Sequence, residues 1–223
     1  EDSLDALVRR VLDAADDRLR LFNPPPELLT AVSRVVHATR PALTIEVLAA
    51  AAVVDAATER FDVATMLQDL LEGDQVALHG IDHRPSATYL VSGDRVVLPV
   101  ILDAVFGVAV RDSTLAAAFT EYFEDRVATA DPISLRTPGF GTIISTLQAE
   151  FDEAVATDFE ALIRAASDQP DPVNAVAAAL LVGARHDLLF YDLSRWGEDI
   201  GLASKATFSR TKTRLEEREL LAT

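Results

Sequence analysis

The spacing of apolar residues divides the chain into a first part with strands and helices and a second part with helices alone. Segments with apolar residues three and four positions apart are typical of amphipathic helices, whereas short runs of Val, Ile and Leu are typical of buried strands. The predicted helices of the first part cover 2–20, 27–38, 53–72 and 115–128. Its predicted strands cover 18–23, 43–48, 75–79, 88–91, 95–101 and 105–110.

The order of these segments predicts the fold class of the first part. Ser92-Gly93-Asp94 has the composition of a tight turn and predicts a hairpin between its flanking strands. Strands and helices that alternate and then end in paired strands favour an α/β domain, with helices packed on a small mixed sheet. We assign residues 1–130 to this domain and expect a regulatory, sensor-like role for it.

The rest of the chain carries no strand signal from Pro138 onward. Residues 142–166 predict one or two helices, and the segment 168–172, rich in Asp and Pro, predicts a loop. We therefore assign 131–170 to a helical bridge, which is also a candidate for dimerisation, and 171–223 to a separate all-α domain.

Three helices are predicted within this last domain, over 173–186, 189–200 and 205 to about 219. Gly201 ends the second of them, and Ser204 has the side chain of an N-cap for the third. Two helices joined by a short turn that contains glycine are typical of a helix-turn-helix motif.

The last predicted helix has the residue pattern of a DNA-reading helix. Phe208 and Leu215 lie on one side as core anchors, whereas Ala206, Arg210 and Thr213 lie on the other, and no carboxylate precedes Glu216. Small residues let a helix enter the major groove, and Arg, Ser and Thr side chains can bond bases or phosphates. The candidate DNA-contacting residues are Lys205, Thr207, Ser209, Arg210, Lys212, Thr213 and Arg214, with Arg195 on the preceding helix.

Charge is unevenly distributed along the chain, whose formal net charge is −16. The first 200 residues carry 15 basic and 33 acidic residues, whereas 201–223 carry five basic and three acidic ones. The acidic body repels nucleic acid and the C-terminal segment does not. The acidic excess and the presence of only two lysines suggest a halophilic cell with molar internal salt. An ordinary acidic protein from a GC-rich genome is the alternative.

Several classes of function are excluded or disfavoured. The absence of cysteine excludes disulfides, thiolate metal sites and cysteine nucleophiles. No phosphate-binding loop, nucleophile elbow or paired zinc-ligand motif occurs, and His79, Asp82 and His83 lack a third firm ligand. We therefore expect no enzyme activity, no cofactor and no metal. The longest apolar run, 173–184, is too short to cross a membrane, and no secretory signal opens the chain, so we expect a cytoplasmic protein without membrane contact.

The run from Asp192 to Glu216 closely resembles the signature of TbsP-type transcriptional regulators, with weaker similarity at 21–24 and 134–138. The resemblance implies a halophilic archaeal regulator of central sugar metabolism, with a winged-helix DNA-binding domain behind an α/β regulatory domain. It also implies that Lys205, Thr207, Ser209, Arg210, Lys212 and Arg214 face DNA. Members of that family continue into a β-wing after the recognition helix. This chain ends at Thr223, so we expect the wing to be absent from it.

These observations favour a sequence-specific regulator that binds double-stranded promoter DNA. Its expected target genes include those of gluconeogenesis. We expect a homodimer, because a single recognition helix reads only a few base pairs and a two-fold pair spans two half-sites. A small-molecule effector is left open. The alternative is an adaptor or a small-molecule-binding protein whose helical C-terminus mediates protein assembly.

Overall fold

The computed structural model describes residues 3–81, 87–167 and 174–221. They form two compact units. The α/β unit contains Glu1–Glu59 and Leu70–Ser134, and the helical unit contains Arg60–Asp69 and Leu135–Thr223. The predicted fold class, an α/β region followed by an all-helical helix-turn-helix domain, is confirmed.

One mixed sheet forms the centre of the α/β unit, in the order β6-β5-β4-β1-β2-β3-β7. Its strands are β1 (Arg18–Phe22), β2 (Thr44–Ala50), β3 (Val76–Ile81), β4 (Tyr89–Ser92), β5 (Arg95–Ile101), β6 (Val105–Arg111) and β7 (Asp131–Pro132). The first three strands are mutually parallel, and all the other pairings are antiparallel. Because the parallel strands are buried on both faces, Leu21 and Val47 are fully inaccessible to solvent.

The predicted turn at Ser92-Gly93-Asp94 is confirmed, since Ser92 pairs with Arg95 and Gly93 has a φ of +55°. A side chain at position 93 would be strained at that φ. The hairpin of β5 and β6 then extends antiparallel from Arg95↔Arg111 to Ile101↔Val105.

In the described part of the chain, five helices precede β7: α1 (Leu4–Asp13), α2 (Pro26–Thr39), α3 (Ala51–Ala57), α4 (Phe61–Glu72) and α5 (Ser113–Val127). The opening helix is shorter than the predicted 2–20, because Asp16 N–H donates to Ser92 Oγ at 3.0 Å and the chain enters β1. The single helix predicted over 53–72 is also wrong. The chain leaves α3 at Thr58, whose hydroxyl donates to the Val54 carbonyl, and α4 starts anew three residues later.

The short strand β7 has no signal in the sequence. It pairs antiparallel with the end of β3, and the Ile133 N–H donates to the Leu78 carbonyl at 2.9 Å. Two residues are too few to show alternation, and a proline is tolerated there because β7 lies at the sheet edge.

The helical unit contains α6 (Phe140–Glu150), α7 (Glu153–Ser167), α8 (Ala175–Arg185), α9 (Phe190–Asp199) and α10 (Lys205–Glu217). The first two fall within the predicted bridge, yet Leu147 and Phe159 share one core with Leu180 and Phe208 of the later helices. The predicted loop at 168–172 lies outside the described residues. In the described part of the chain, no helix is long and apolar enough to span a bilayer.

Candidate nucleic-acid interface

Helix α8 is the support on which the helix-turn-helix is packed. Its apolar residues cover most of its circumference and are buried, as the sequence predicts for a central helix. The Asn174 side chain caps its N-terminus by accepting the Val176 N–H at 2.8 Å. Gly183 lies against Leu193 of α9, since a Cβ added there would be 2.8 Å from Leu193 Cδ2. Helix α9 therefore approaches α8 closely at this glycine.

A second glycine sets the distance between α9 and α10. A Cβ added at Gly197 would lie 2.3 Å from the Phe208 ring, which is fully buried. The turn between the helices is held by the Leu202 and Ala203 N–H groups, which both donate to the Gly197 carbonyl. Gly201 within it has a φ of +76°, a conformation that suits glycine. This local structure fixes α10 firmly on α9.

The predicted N-cap of α10 is confirmed. Ser204 Oγ accepts the Thr207 N–H at 3.3 Å and lies 3.1 Å from the Thr207 hydroxyl. Phe208 and Leu215 are buried, as predicted from the helical spacing. The cap and these two anchors determine which side of α10 faces the solvent.

The outward side of α10 consists of small residues, hydroxyls and arginines. Ala206, Ser209, Arg210 and Thr213 are exposed, and their spacing of three and four places them on one face. Lys205 and Arg214 are also exposed, and Thr207 and Lys212 are half-buried. The structure therefore places the predicted α10 residues on the exposed side of the helix or at its border.

Three of the predicted cations already have carboxylate partners. Lys205 Nζ lies 3.1 Å from Glu198, Lys212 Nζ 2.5 Å from Glu216, and Arg195 donates to Glu150 at 2.9 Å. The hydrogen bond from Lys205 lowers the pKa of Glu198 below its ordinary value. The hydrogen bond to Glu150 raises the pKa of the Arg195 guanidinium. These pairs are exposed or partly exposed, so each is weak and can exchange with another anion.

Arg210 and Arg214 differ from these three. Among the residues that the structure describes, neither forms an ion pair, and Arg210 donates only to the Thr207 hydroxyl at 3.3 Å. Both project from the part of α10 that contains no carboxylate. An anion near this face therefore meets two guanidinium groups that no described carboxylate neutralises.

The sequence did not indicate the three carboxylate partners. Lys212 and Glu216 are four positions apart on one helix, so that pair could have been found from its spacing. Glu150 is 45 positions from Arg195, and no sequence pattern relates them. Of the three residues considered as metal ligands, His79 lies within β3, whereas Asp82 and His83 lie outside the described residues. No group of three or more metal-ligating side chains occurs within 3–81, 87–167 and 174–221.

Comparison with protein families gives two matches that together cover almost all of the chain. The model of the TbsP-like transcriptional regulator N-terminal domain matches residues 1–138. The model of the TbsP-like C-terminal helix-turn-helix domain matches residues 140–223. The second match contains α6 to α10, that is, the whole arrangement described above.

The two solved structures described next share little sequence identity with the chain. No curated protein matches it. TrmBL2, described as an archaeal chromatin protein with a novel mode of DNA binding, is 12% identical with a TM-score of 0.46. That match covers 60% of this chain and 53% of TrmBL2. The phospholipase D family member Nuc from Salmonella typhimurium is 13% identical with a TM-score of 0.42, covering 57% of this chain and 89% of Nuc. Neither likeness is close enough to support a conclusion about function.

Proposed function

We propose that this chain, which belongs to the TbsP-like family of transcriptional regulators, binds promoter DNA sequence-specifically with α10 in the major groove. The observation that carries the proposal is the outward face of α10. It combines small side chains with two arginines that no described carboxylate neutralises. This is the surface that a helix needs to enter the groove and reach base edges.

The residues of α10 have different roles in this proposal. Arg210 is central on the face and reads a base edge, because an arginine can donate two hydrogen bonds to guanine. Ser209 and Thr213 contact bases or phosphates beside it, and Thr207 holds the Arg210 side chain through its hydroxyl. Arg214 lies further along the same helix and binds a phosphate.

Lys205, Lys212 and Arg195 anchor the flanking phosphates. Each has a carboxylate partner in the free chain, so each phosphate contact replaces an existing ion pair. The net gain from these three contacts is therefore smaller than that from Arg210 and Arg214. Binding should depend more on the two arginines than on the lysines.

The regulator acts as a homodimer on two half-sites in this proposal. The support is a sheet face of the α/β unit that consists of alternate residues of the β5–β6 hairpin: Leu98, Val100, Phe106, Val108 and Val110. These side chains are 37–53% exposed, and none of them is charged. We call them the apolar hairpin face. Exposed apolar patches of this kind mark association sites, and a second copy presents an identical uncharged surface.

The cellular setting follows from composition and from the sequence resemblance. With 36 acidic residues and only two lysines, the chain suits a cytoplasm with molar salt, as in a halophilic archaeon. Its targets would be genes of central carbon metabolism, including gluconeogenesis. A small-molecule effector would act through the α/β unit.

The decisive experiment compares Arg210→Ala with Arg218→Ala. Arg218 is an exposed arginine at the C-cap of α10 and lies beyond the proposed contact surface, so it is a matched control. Duplexes are enriched from a random pool with the unmodified protein in about 2 M KCl, where the Debye length is below about 3 Å. Affinity is then measured by fluorescence anisotropy.

We expect Arg210→Ala to weaken binding to the enriched duplex by about 10- to 100-fold, because a base contact is lost. Arg218→Ala should bind as the unmodified protein does. Equal binding by both variants would refute the role of α10. Failure to enrich any duplex would favour the alternative of an adaptor that assembles with other proteins.

A further inference from the structure

A cavity of about 360 Å³ lies in the α/β unit between α1 and the strands β4 to β6. Its wall is mostly apolar: Leu7, Val11, Leu19, Leu90, Val97 and Val105 contribute to it. The volume is within the range of pockets that hold small organic molecules. The cavity is on the side of β6 that α1 covers, whereas the apolar hairpin face is on the other side.

Small residues on β6 create this cavity. Gly107 and Ala109 line it, and a Cβ at Gly107 would come within 2.6 Å of Leu7 Cδ1. Larger side chains at these two positions would occupy the space between β6 and α1. The space therefore depends on particular residues of the sequence.

The charge of the lining is opposite to that of the chain. Among the described residues that line the wall, Arg10 and Arg95 are ionisable and none is Asp or Glu. The chain as a whole has 36 acidic residues and a net charge of −16. Arg95 is held in place because its guanidinium donates to the Ala14 carbonyl at 2.8 Å. Its Nε also lies 3.9 Å from Asp94, an exposed carboxylate that is shared with Arg111. Exposed pairs of this kind are weak, so a ligand carboxylate can compete for Arg95. A cavity with two cationic groups in such an acidic chain selects for an anion.

Hydroxyl-rich ligands fit this lining poorly. Ser92 is the hydroxyl-bearing residue of the wall, and its Oγ donates to the Arg18 carbonyl at 2.6 Å and accepts the Asp16 N–H. Its one hydrogen is therefore not available to a ligand. A sugar in this cavity would leave most of its hydroxyls without partners, at a cost in free energy for each of them.

We propose that this cavity binds a small organic anion with an apolar body, such as an aryl or alkyl carboxylate. The body packs against the aliphatic wall, and the carboxylate faces the guanidinium groups of Arg10 and Arg95. This inference goes beyond the proposed DNA binding, and its tests are done without DNA, so the two can fail separately.

The test uses 4-phenylbutyrate and its uncharged amide, with binding to the full chain measured by isothermal titration calorimetry. The acid should bind saturably and about fivefold or more tightly than the amide, because only the acid pairs with the arginines. Ala109→Phe fills the cavity and should abolish binding of both compounds. Ala77→Phe is the matched control, since Ala77 is an exposed strand alanine that does not line the cavity, and it should bind as the unmodified chain does.

Arg10→Gln separates the charge from the shape of the site. This variant leaves the Arg95 contact with Ala14 intact, so it should reduce the preference for the acid and leave binding of the amide unchanged. Absence of saturable binding by either compound would overturn the site. Unchanged binding by Ala109→Phe would also overturn it, and equal binding of acid and amide by the unmodified chain would overturn the anionic ligand class.

Discussion

The two units of the molecule use their apolar surface differently. In the helical unit, Gly183 and Gly197 bring α8, α9 and α10 into close contact, and apolar residues of α6 to α10 meet in one core. In the α/β unit, α1 leaves a cavity on one side of the β5–β6 hairpin, and the apolar hairpin face is exposed on the other.

This difference in packing suits the two units to different roles. Close packing in the helical unit holds one helix rigidly, as base reading requires, because small displacements break hydrogen bonds to base edges. Unfilled and uncovered apolar surface in the α/β unit is typical of a part that binds other molecules. Substitutions in the helical unit should therefore affect folding and DNA binding, and those in the α/β unit should affect association.

The largest expected effect is on the stability of the helical unit. Gly197→Val places a side chain against the Phe208 ring, which is buried and has no space to move. We expect the free energy of unfolding to fall by about 3 kcal/mol. Urea unfolding followed by the helical circular-dichroism signal measures the change.

Gly141→Ala is the control for that substitution. A Cβ at Gly141 would meet only Asp69 Oδ1, at an ordinary contact distance of 3.5 Å. Its stability should stay within about 1 kcal/mol of that of the unmodified chain. Similar losses in both variants would mean that the close approach at Gly197 is not what holds α10.

A smaller effect is expected on self-association. Val108→Asp puts a charge in the middle of the apolar hairpin face, so association through that face would bury an unpaired carboxylate. We expect the dissociation constant of the proposed dimer to rise about 100-fold, measured by sedimentation of the chain without DNA.

Leu220→Asp is the matched control, because Leu220 is 56% exposed and belongs to the helical unit. It should associate as the unmodified chain does. Either of two results would contradict dimerisation through the apolar hairpin face: an unmodified chain that is monomeric, or a Val108→Asp variant that still dimerises.

The smallest effect is expected at the carboxylate beside Lys205. Glu198→Gln removes a negative charge 3.1 Å from the Lys205 ammonium and frees it for a phosphate. DNA affinity should rise about two- to fivefold, on random and enriched duplexes alike, because phosphates carry no sequence information. Fluorescence anisotropy measures the affinity for each of the two duplexes.

Asp199→Asn serves for comparison, since Asp199 is the neighbouring exposed carboxylate at the end of α9. It should change affinity less than Glu198→Gln does. A gain confined to the enriched duplex would contradict the assignment of Lys205 to phosphate contact.

Local patterns predicted much of this fold. The limits of β5 were predicted correctly because its apolar run and the glycine turn before it act locally. The helix-turn-helix was predicted because Gly201, Ser204 and the Phe208–Leu215 spacing all act within a few residues. The same spacing identified the exposed side of α10.

Features that depend on distant residues were not predicted. The break between α3 and α4 was missed because 53–72 is apolar at helical spacing on both sides of it. The Arg195–Glu150 pair and the cavity beneath α1 join residues from separate segments. Roles of the predicted DNA-contacting residues remain predictions, because position and exposure do not identify what a side chain binds.

Trp196 gives this protein an intrinsic optical reporter. It is the only tryptophan of the chain, it is buried in the helical unit, and its indole N–H donates to Thr146 Oγ1 at 3.1 Å. Emission excited beyond the absorption of tyrosine therefore comes from the helical unit alone. Because the chain also lacks cysteine, a single introduced thiol can carry an acceptor dye in the α/β unit. Energy transfer from Trp196 to that dye would then report the distance between the two labelled positions, without interference from a second tryptophan or thiol.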